Sequence, residues 1–159
     1  GMTNIKGGDD RFYNNIFIGN EPSGAANPQR AGGYGLWVYD VREFPIQTGG
    51  NVYYNGAKPY GKESGPVVEG ANPAPGIVED GGHGFLIVKL NGALQKAVTR
   101  LVTTSMLGRA RVPDAAFENP DGTDLSIDTD YLGKRRDAAS PSPGPFERPG
   151  QGDLRIQIW

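Results

Sequence analysis

The sequence contains no cysteine and one histidine, His83. Without cysteine, the chain has no disulfide bond, no thiolate nucleophile and no cysteine-based zinc site. A single histidine cannot form a metal site by itself, and the glycines around His83 indicate an exposed loop. We therefore predict neither a cofactor nor a resident metal.

Long apolar runs and a large excess of one charge are also lacking. No apolar run approaches the roughly 20 residues of a membrane-spanning helix. The formal net charge is −2, which argues against nucleic acid as a partner. We expect a globular chain without a nucleic-acid or membrane partner, and 159 residues are enough for a domain with a real core.

Glycine and proline are abundant, with 25 and 13 residues respectively. They fall between aromatic and β-branched runs, a pattern typical of turns in a loop-rich all-β protein. The first strands predicted from these runs are Phe12 to Ile18, Tyr34 to Val41 and Asn51 to Tyr54. Their spacing of roughly 20 residues fits the coils of a parallel β-solenoid, in which asparagines of successive coils can stack, and equally a meander with long loops.

Strict alternation within the first strand places bulky side chains on both of its faces. Phe12, Ile16 and Ile18 are predicted to point one way, and Tyr13, Asn15 and Phe17 the other. We therefore expect both faces of this strand to be covered. Two carboxylates, Asp9 and Asp10, stand at its open end, where a polar site can form.

The composition divides the chain into three predicted parts. Residues 1–61 carry the solenoid-like strands, residues 62–84 form a Gly/Pro/Glu-rich linker or surface crossing, and residues 85–159 form an antiparallel β-sandwich-like domain. In the last part, Phe85 to Leu90 predicts a buried strand, and Val98 to Thr104 a further strand that can be preceded by a short helical turn.

An internal repeat marks the C-terminal third. Phe117 to Ile127 aligns without a gap with Phe146 to Ile156, and Phe, Glu, Pro, Asp, Leu and Ile match at the same offsets. We interpret each copy as an anchoring Phe, a turn and an alternating strand. In the final strand, Leu154, Ile156 and Ile158 share one face.

Several motifs resemble one enzyme family. They are Asp-Asp-Arg-Phe-Tyr-Asn-Asn-Ile-Phe-Ile-Gly from Asp9, Gly-Asn-Val-Tyr-Tyr-Asn-Gly-Ala-Lys-Pro from Gly50, Leu101 to Thr104 with Leu107-Gly108, Phe117 to Gly122, and Ile127 to Gly133. Together they resemble the last coils, and the segment that follows them, of bacterial right-handed parallel β-helix glycoside hydrolases of the β-xylosidase-like kind. The resemblance covers most of the chain but includes no diagnostic catalytic fingerprint.

The resemblance implies retaining hydrolysis of a polysaccharide or oligosaccharide, in an extracellular or periplasmic setting. It also implies that this chain is one part of a larger protein, inactive alone, whose remainder completes the sugar cleft. Exposed β edges of such a part are expected to allow self-association.

Retaining hydrolysis needs two carboxyl groups about 5 to 5.5 Å apart. By the resemblance, Asp10 or Asp9 matches the nucleophile end of the family's strand motif. Glu21 and Glu43 are the nearest following glutamates and become the candidate acid/base. The candidate substrate-binding residues are Arg11 for sugar hydroxyls and, for stacking on the ring, Tyr13, Trp37, Tyr39 and Tyr53.

Simpler roles compete with these assignments. Asp9 and Asp10 can terminate a turn and pair with Arg11, and the aromatic residues can belong to the core. Aspartates crowded between Asp121 and Asp130 offer oxygen ligands for calcium, but they do not match an EF-hand, and solvated turns explain them better. The alternative functions are a non-catalytic carbohydrate-binding module and a module that caps a solenoid.

Overall fold

The computed structural model describes residues 8–19, 34–42 and 44–159. These ranges hold ten strands, one short α-helix and two 3₁₀ helices, which confirms the all-β class. The strands are β1 Arg11–Tyr13, β2 Ile16–Ile18, β3 Gln47–Gly49, β4 Val52–Tyr54, β5 Val67–Glu69, β6 Gly76–Asp80, β7 His83–Leu90, β8 Arg109–Ala110, β9 Ala115–Ala116 and β10 Gly152–Gln157. The helices are the 3₁₀ segments Leu36–Tyr39 and Leu94–Lys96 and α1, Thr104–Leu107.

Strands from successive segments of the first half pair in parallel. β1 pairs with β3, β2 with β4, and β4 with β5, each in register over three residues. The pairing of these strands is parallel, whereas a meander would make it antiparallel. β5 is the third strand of the sheet that also contains β2 and β4, and it lies in the segment predicted to be a linker. That segment is therefore ordered where it lies on the parallel sheet.

A corner separates β1 from β2, and another separates β3 from β4. Asn14 between β1 and β2 and Gly50 between β3 and β4 both have positive φ, 56° and 66°. A Cβ on Gly50 would lie 2.4 Å from Asn14 Oδ1, so close stacking of the two corners requires glycine there. The corner also breaks the predicted alternation, because Ile16 and Ile18 face one core whereas Phe12 and Phe17 face another. The prediction of a single strand from Phe12 to Ile18, with Phe12 and Ile18 on one face, was therefore wrong.

The Asn51 side chain follows this corner and is fully buried. Its Oδ1 accepts hydrogen bonds from Asn15 N at 2.9 Å and Asn15 Nδ2 at 3.0 Å, and its Nδ2 donates to Phe12 O at 2.8 Å. Asn15 and Asn51, which precede the paired strands β2 and β4, therefore bond to each other, and Asn51 satisfies backbone groups that the corner removes from the strand ladder.

An antiparallel sheet in the order β10-β7-β6 covers the parallel sheet. β6 and β7 form a hairpin through Gly81 and Gly82, whose φ values of 58° and 81° suit a two-residue turn. Leu154 and Ile156 of β10 face the interior, as the alternation predicted. Side chains from both sheets form one core, contributed by Val52, Tyr54, Val88, Leu90, Ala93, Leu94 and Ala97. The two halves of the chain are thus sheets packed face to face.

Two predicted strands are not strands. Tyr34 to Val41 contains the 3₁₀ helix Leu36–Tyr39, which buries Leu36 and leaves Val38 exposed. Its aromatic and β-branched composition was misleading, because here the backbone bonds locally, with Asp40 N donating to Trp37 O. Val98 to Thr104 has only an isolated bridge at Thr103, although the short helical turn before it is present.

The two copies of the repeat also differ. The second copy ends in β10, which pairs with β7 over six residues. The first copy forms only isolated bridges, at Glu118 with Asp124 and at Ser126 with Thr103. Similar sequences therefore take different structures, because only the second copy lies beside the edge of a long strand. The strand predicted in the first copy was wrong.

We predict that Asn51→Leu destabilises the fold by roughly 3 kcal/mol, because it leaves buried backbone and carboxylate partners without hydrogen bonds. Urea denaturation monitored by circular dichroism measures this loss. The control is Asn72→Ala, which removes an exposed bond from Ala74 N at 2.8 Å and should cost about 1 kcal/mol or less. Equal losses for the two variants would contradict a structural role for buried Asn51.

Candidate functional site

The face of the parallel sheet that lies away from the antiparallel sheet is aromatic. Phe17 and Tyr53 stack with ring centroids 5.1 Å apart and planes 12° apart. Phe12 contacts Phe17 at 6.4 Å and Tyr39 at 5.3 Å. The 3₁₀ helix Leu36–Tyr39 therefore lies over this face, and Leu36, Ile46, Ala57 and Tyr60 complete a second core there.

A carboxylate enters the rim of this second core. Glu63 is half-buried in a turn where its backbone N donates to Tyr60 O at 2.9 Å. Its Oε1 accepts from Asn51 Nδ2 at 2.8 Å, and its Oε2 accepts from Tyr53 OH at 2.5 Å. We call Glu63, Asn51 and Tyr53 the Glu63 cluster. Its three members come from β4, the corner before β4 and the turn that follows.

Burial governs the electrostatics of the Glu63 cluster. Desolvation raises the pKa of Glu63 above its usual value, and the hydrogen bonds from Tyr53 and Asn51 only partly oppose this. The pKa of Tyr53 is also raised, first by burial and then by the neighbouring carboxylate. Burial thus favours the protonated form of Glu63 more than water does, which is the direction that a general acid requires.

Two further carboxylates lie around the aromatic face. Asp40 follows the 3₁₀ helix, and its Oδ1 accepts from Gly61 N at 2.8 Å, two residues before Glu63. Asp10 lies against Tyr39, whose pKa is raised by burial and then by the Asp10 charge. Both aspartates are exposed. Three carboxyl groups therefore border the same aromatic face.

Of the acidic residues proposed from sequence, Asp9 has a structural role. Its carboxylate pairs with Arg11 at 2.8 Å and accepts from Arg111 N at 2.7 Å. The bond from the Arg111 backbone, followed by the Arg11 interaction, lowers the pKa of Asp9. Asp10 stands apart from that pair. Glu21 and Glu43 lie outside the described residues, so their role as acid/base stays a prediction.

Arg11 is engaged by the protein. Its side chain is 5% exposed, and it donates to Leu107 O at 3.1 Å and Arg109 O at 2.7 Å while stacking over the Phe117 ring. These contacts attach β1 to the loops around α1. The guanidinium thus holds these loops in position. Its N–H donors, which sequence reasoning assigned to sugar hydroxyls, bond to protein groups instead.

The aromatic candidates occupy different environments. Tyr53 is fully buried, so its hydroxyl rather than its ring face serves the site. Tyr39 lies at the rim beside Asp10, Trp37 is partly exposed in the same 3₁₀ helix, and Tyr13 OH donates to Gln47 Oε1 at 3.2 Å. Sequence reasoning missed Glu63 because it stands in a Gly/Glu-rich segment with no strand pattern of its own. Only its proximity in space to Asn51 and Tyr53 identifies it.

The aspartates considered for calcium are bound to protein groups. Asp121 accepts from Thr123, Asp128 pairs with Arg135 at 2.5 Å, and Asp130 accepts from Leu132 N and Lys134 N, both at 2.9 Å. Across residues 8–19, 34–42 and 44–159, no three acidic or histidine side chains form a group that could hold a metal ion. The same ranges contain no helix with the length and apolar character needed to cross a bilayer.

One solved structure is similar to this chain. It is the structure of XylC in complex with xylose, with a TM-score of 0.82 and 32% sequence identity. The match covers 96% of this chain and 26% of XylC, so the chain spans about a quarter of that protein's length. Scans against models of known protein families and against curated proteins found no match. The chain is therefore related in fold and sequence to a protein whose structure holds a sugar.

We predict that the stability difference between Glu63→Gln and the unmodified protein changes with pH. A raised folded-state pKa favours folding at low pH, and this contribution is lost as pH rises from the ordinary value of 4.5 through the raised one. Glutamine stays neutral, so the variant should gain stability relative to the unmodified protein across that interval. Thermal unfolding between pH 4 and 8 measures the difference.

The matched control is Glu69→Gln. The pKa of Glu69 is lowered, mainly by a hydrogen bond from Ala71 N, so its carboxylate stabilises the fold above the ordinary pKa. The control variant should therefore lose stability relative to the unmodified protein as pH rises. If the stability difference for Glu63→Gln changed with pH in the same direction as that for Glu69→Gln, folding would not raise the pKa of Glu63.

Proposed function

We propose that this chain carries catalytic carboxyl groups of a glycoside hydrolase acting on a polysaccharide or oligosaccharide that contains xylose or a related pentose. The sugar class is supported by the similarity to XylC, whose structure is a complex with xylose. The reaction class is supported by a half-buried glutamic acid with a raised pKa beside exposed aspartates. Glycoside hydrolysis uses such a pair of carboxyl groups in unlike environments.

Glu63 is the general acid in this proposal, and its environment is the observation that carries the assignment. Hydrolysis at neutral pH requires a carboxylic acid that keeps its proton until the leaving oxygen accepts it. Burial against the aromatic face raises the pKa of Glu63 in the direction that this requires, and hydrogen bonds from Asn51 and Tyr53 fix the orientation of the group. After bond cleavage the same carboxylate can accept a proton from water.

Asp40 is the partner carboxylate in this proposal. Its bond to Gly61 N attaches it to the turn that carries Glu63, and its exposure leaves it open to a substrate. Asp10, the nucleophile candidate from sequence, borders the same face beyond Tyr39. Asp10 then binds substrate at the rim, and substitution of each aspartate tests this division of roles.

The activity belongs to a longer protein in this proposal. XylC is about four times the length that the match covers, and the exposed aspartates at the rim of the aromatic face would need further chain to enclose a sugar. We accordingly retain the proposals of a right-handed parallel β-helix architecture and of an extracellular or periplasmic setting. Kinetic tests therefore use the intact protein, with the 159-residue chain measured beside it.

We predict that Glu63→Gln lowers kcat/KM for xylobiose by about 10²- to 10⁴-fold, the usual contribution of a general acid. The loss should be much smaller for 2,4-dinitrophenyl β-xyloside, because its leaving group needs no proton. Asp40→Asn should abolish turnover of both substrates. Initial rates with the two substrates measure these effects.

Glu69→Gln serves as the control and should leave both rates unchanged, because Glu69 ends β5, bonds to Ala71 N and is not a member of the Glu63 cluster. An equal loss for both substrates in Glu63→Gln would contradict the role of Glu63 as acid. If Asp10→Asn rather than Asp40→Asn abolished turnover, the nucleophile assignment would return to Asp10. Full activity in both Glu63→Gln and Asp40→Asn would refute the proposed site.

A further inference from the structure

Two exposed aromatic rings lie at the opposite end of the chain, on loops around the antiparallel sheet. Trp159 is 54% exposed and Tyr131 is 63% exposed. Tyr131 OH donates to Ile158 O at 3.3 Å, directly beside Trp159 in the chain. Neither residue contributes to the Glu63 cluster, and the proposed reaction uses neither.

The position of Trp159 depends on a glycine. Gly84 N donates to Trp159 O at 3.2 Å, and Ile158 N donates to Gly84 O at 2.8 Å. A Cβ built on Gly84 would lie 2.1, 2.2 and 2.4 Å from the indole atoms Cε2, Cζ2 and Cδ2. These atoms belong to the flat face of the ring, so the indole lies on the backbone of β7. One face is therefore covered and the other is open to solvent.

Tyr131 is fixed as firmly as Trp159. Its ring meets Phe146 edge to face, with centroids 6.1 Å apart and planes at 85°. Its backbone N donates to Pro145 O at 2.8 Å, and the preceding Asp130 accepts from Glu147 N at 2.8 Å. The exposed tyrosine is thus held in place before any ligand arrives, which lowers the entropic cost of binding.

Polar side chains lie beside Trp159. Gln157 Nε2 lies 3.0 Å from His83 Nδ1 and donates to Trp159 O at 3.3 Å. Gln157 Oε1 and His83 Nε2 have no hydrogen-bond partner among the described residues. Flat apolar faces beside hydrogen-bonding side chains match the C–H face and hydroxyl groups of a sugar ring. A protein partner would be better matched by a continuous apolar patch.

We propose that Trp159 and Tyr131, with Gln157 and His83, form a second carbohydrate-binding surface, which we call the Trp159 platform. It binds a pyranose chain by stacking on the open face of Trp159, with the amide of Gln157 bonding to hydroxyls. The choice of a sugar as the ligand rests on the proposed function, whereas the fixed and half-covered position of the Trp159 ring does not. The platform holds substrate and performs no chemistry.

The test uses the two tryptophans of the chain, Trp37 and Trp159, as reporters. Their indole N–H signals are observed by ¹H–¹⁵N NMR and assigned with Trp159→Phe, while xylohexaose is added to the protein. We expect the Trp159 signal to shift in a saturable way. Gly84→Ala, which displaces the ring, and Tyr131→Ala should each weaken this binding by about tenfold, the effect of losing one aromatic contact.

Other outcomes separate the platform from the proposed active site. A shift of the Trp37 signal alone would overturn the platform and leave the proposed function intact, because Trp37 lies in the helix that covers the Glu63 cluster. No shift of either signal would overturn the platform as a site for this sugar. A Trp159 shift that follows protein concentration, without sugar, would identify a contact between copies of the chain instead. Glu63→Gln should leave the Trp159 shift unchanged.

Discussion

The hydrogen bonds around Asn51 connect the fold to the candidate chemistry. One amide side chain stacks on Asn15 of the neighbouring coil, satisfies Phe12 O, and donates to Glu63. The same residue therefore helps to set the register of the parallel strands β2 and β4 and the position of a half-buried acid. Because Asn51 is fully enclosed, each of these bonds forms away from water, where an unpaired group costs most.

The two sheets depend on each other through their shared core. Val52 and Tyr54 of the parallel sheet pack with Val88 and Leu90 of the antiparallel sheet. Their neighbour in sequence, Tyr53, points to the other face and carries the hydroxyl bound to Glu63. The antiparallel sheet packs on one side of β4 and thus holds this strand in place. The other side of β4 presents the site.

Part of this architecture could be predicted from the sequence. The turns, the all-β class, the β7 strand and the alternation in β10 follow from local composition and period. The corner at Asn14 could not be predicted, because the sequence pattern does not show which residue takes a positive φ. That single residue reverses which side chains of β2 face each core. Likewise, the repeat at Phe117 and Phe146 gave no sign that only one copy would have a neighbouring strand edge.

The candidate site was predictable only in outline. The family resemblance implied two carboxyl groups near the aromatic strands, and Asp10 does border that region. Asp9 and Arg11 instead pair with each other and hold loops in place, because burial of Arg11 requires a partner for its charge. Glu63 carried no sequence signal, since its raised pKa arises from burial and contacts across the coil.

The most direct test of this account is the pKa of Glu63 itself. Following the ¹³C signal of its carboxyl carbon by NMR from pH 3 to 9 measures it in the folded protein. The account predicts a midpoint clearly above the ordinary glutamate value of 4.5, and a further rise in Tyr53→Phe, which removes a hydrogen bond to the carboxylate. A midpoint at or below 4.5 would show that Glu63 is an ordinary ionised side chain and would contradict its role as the acid.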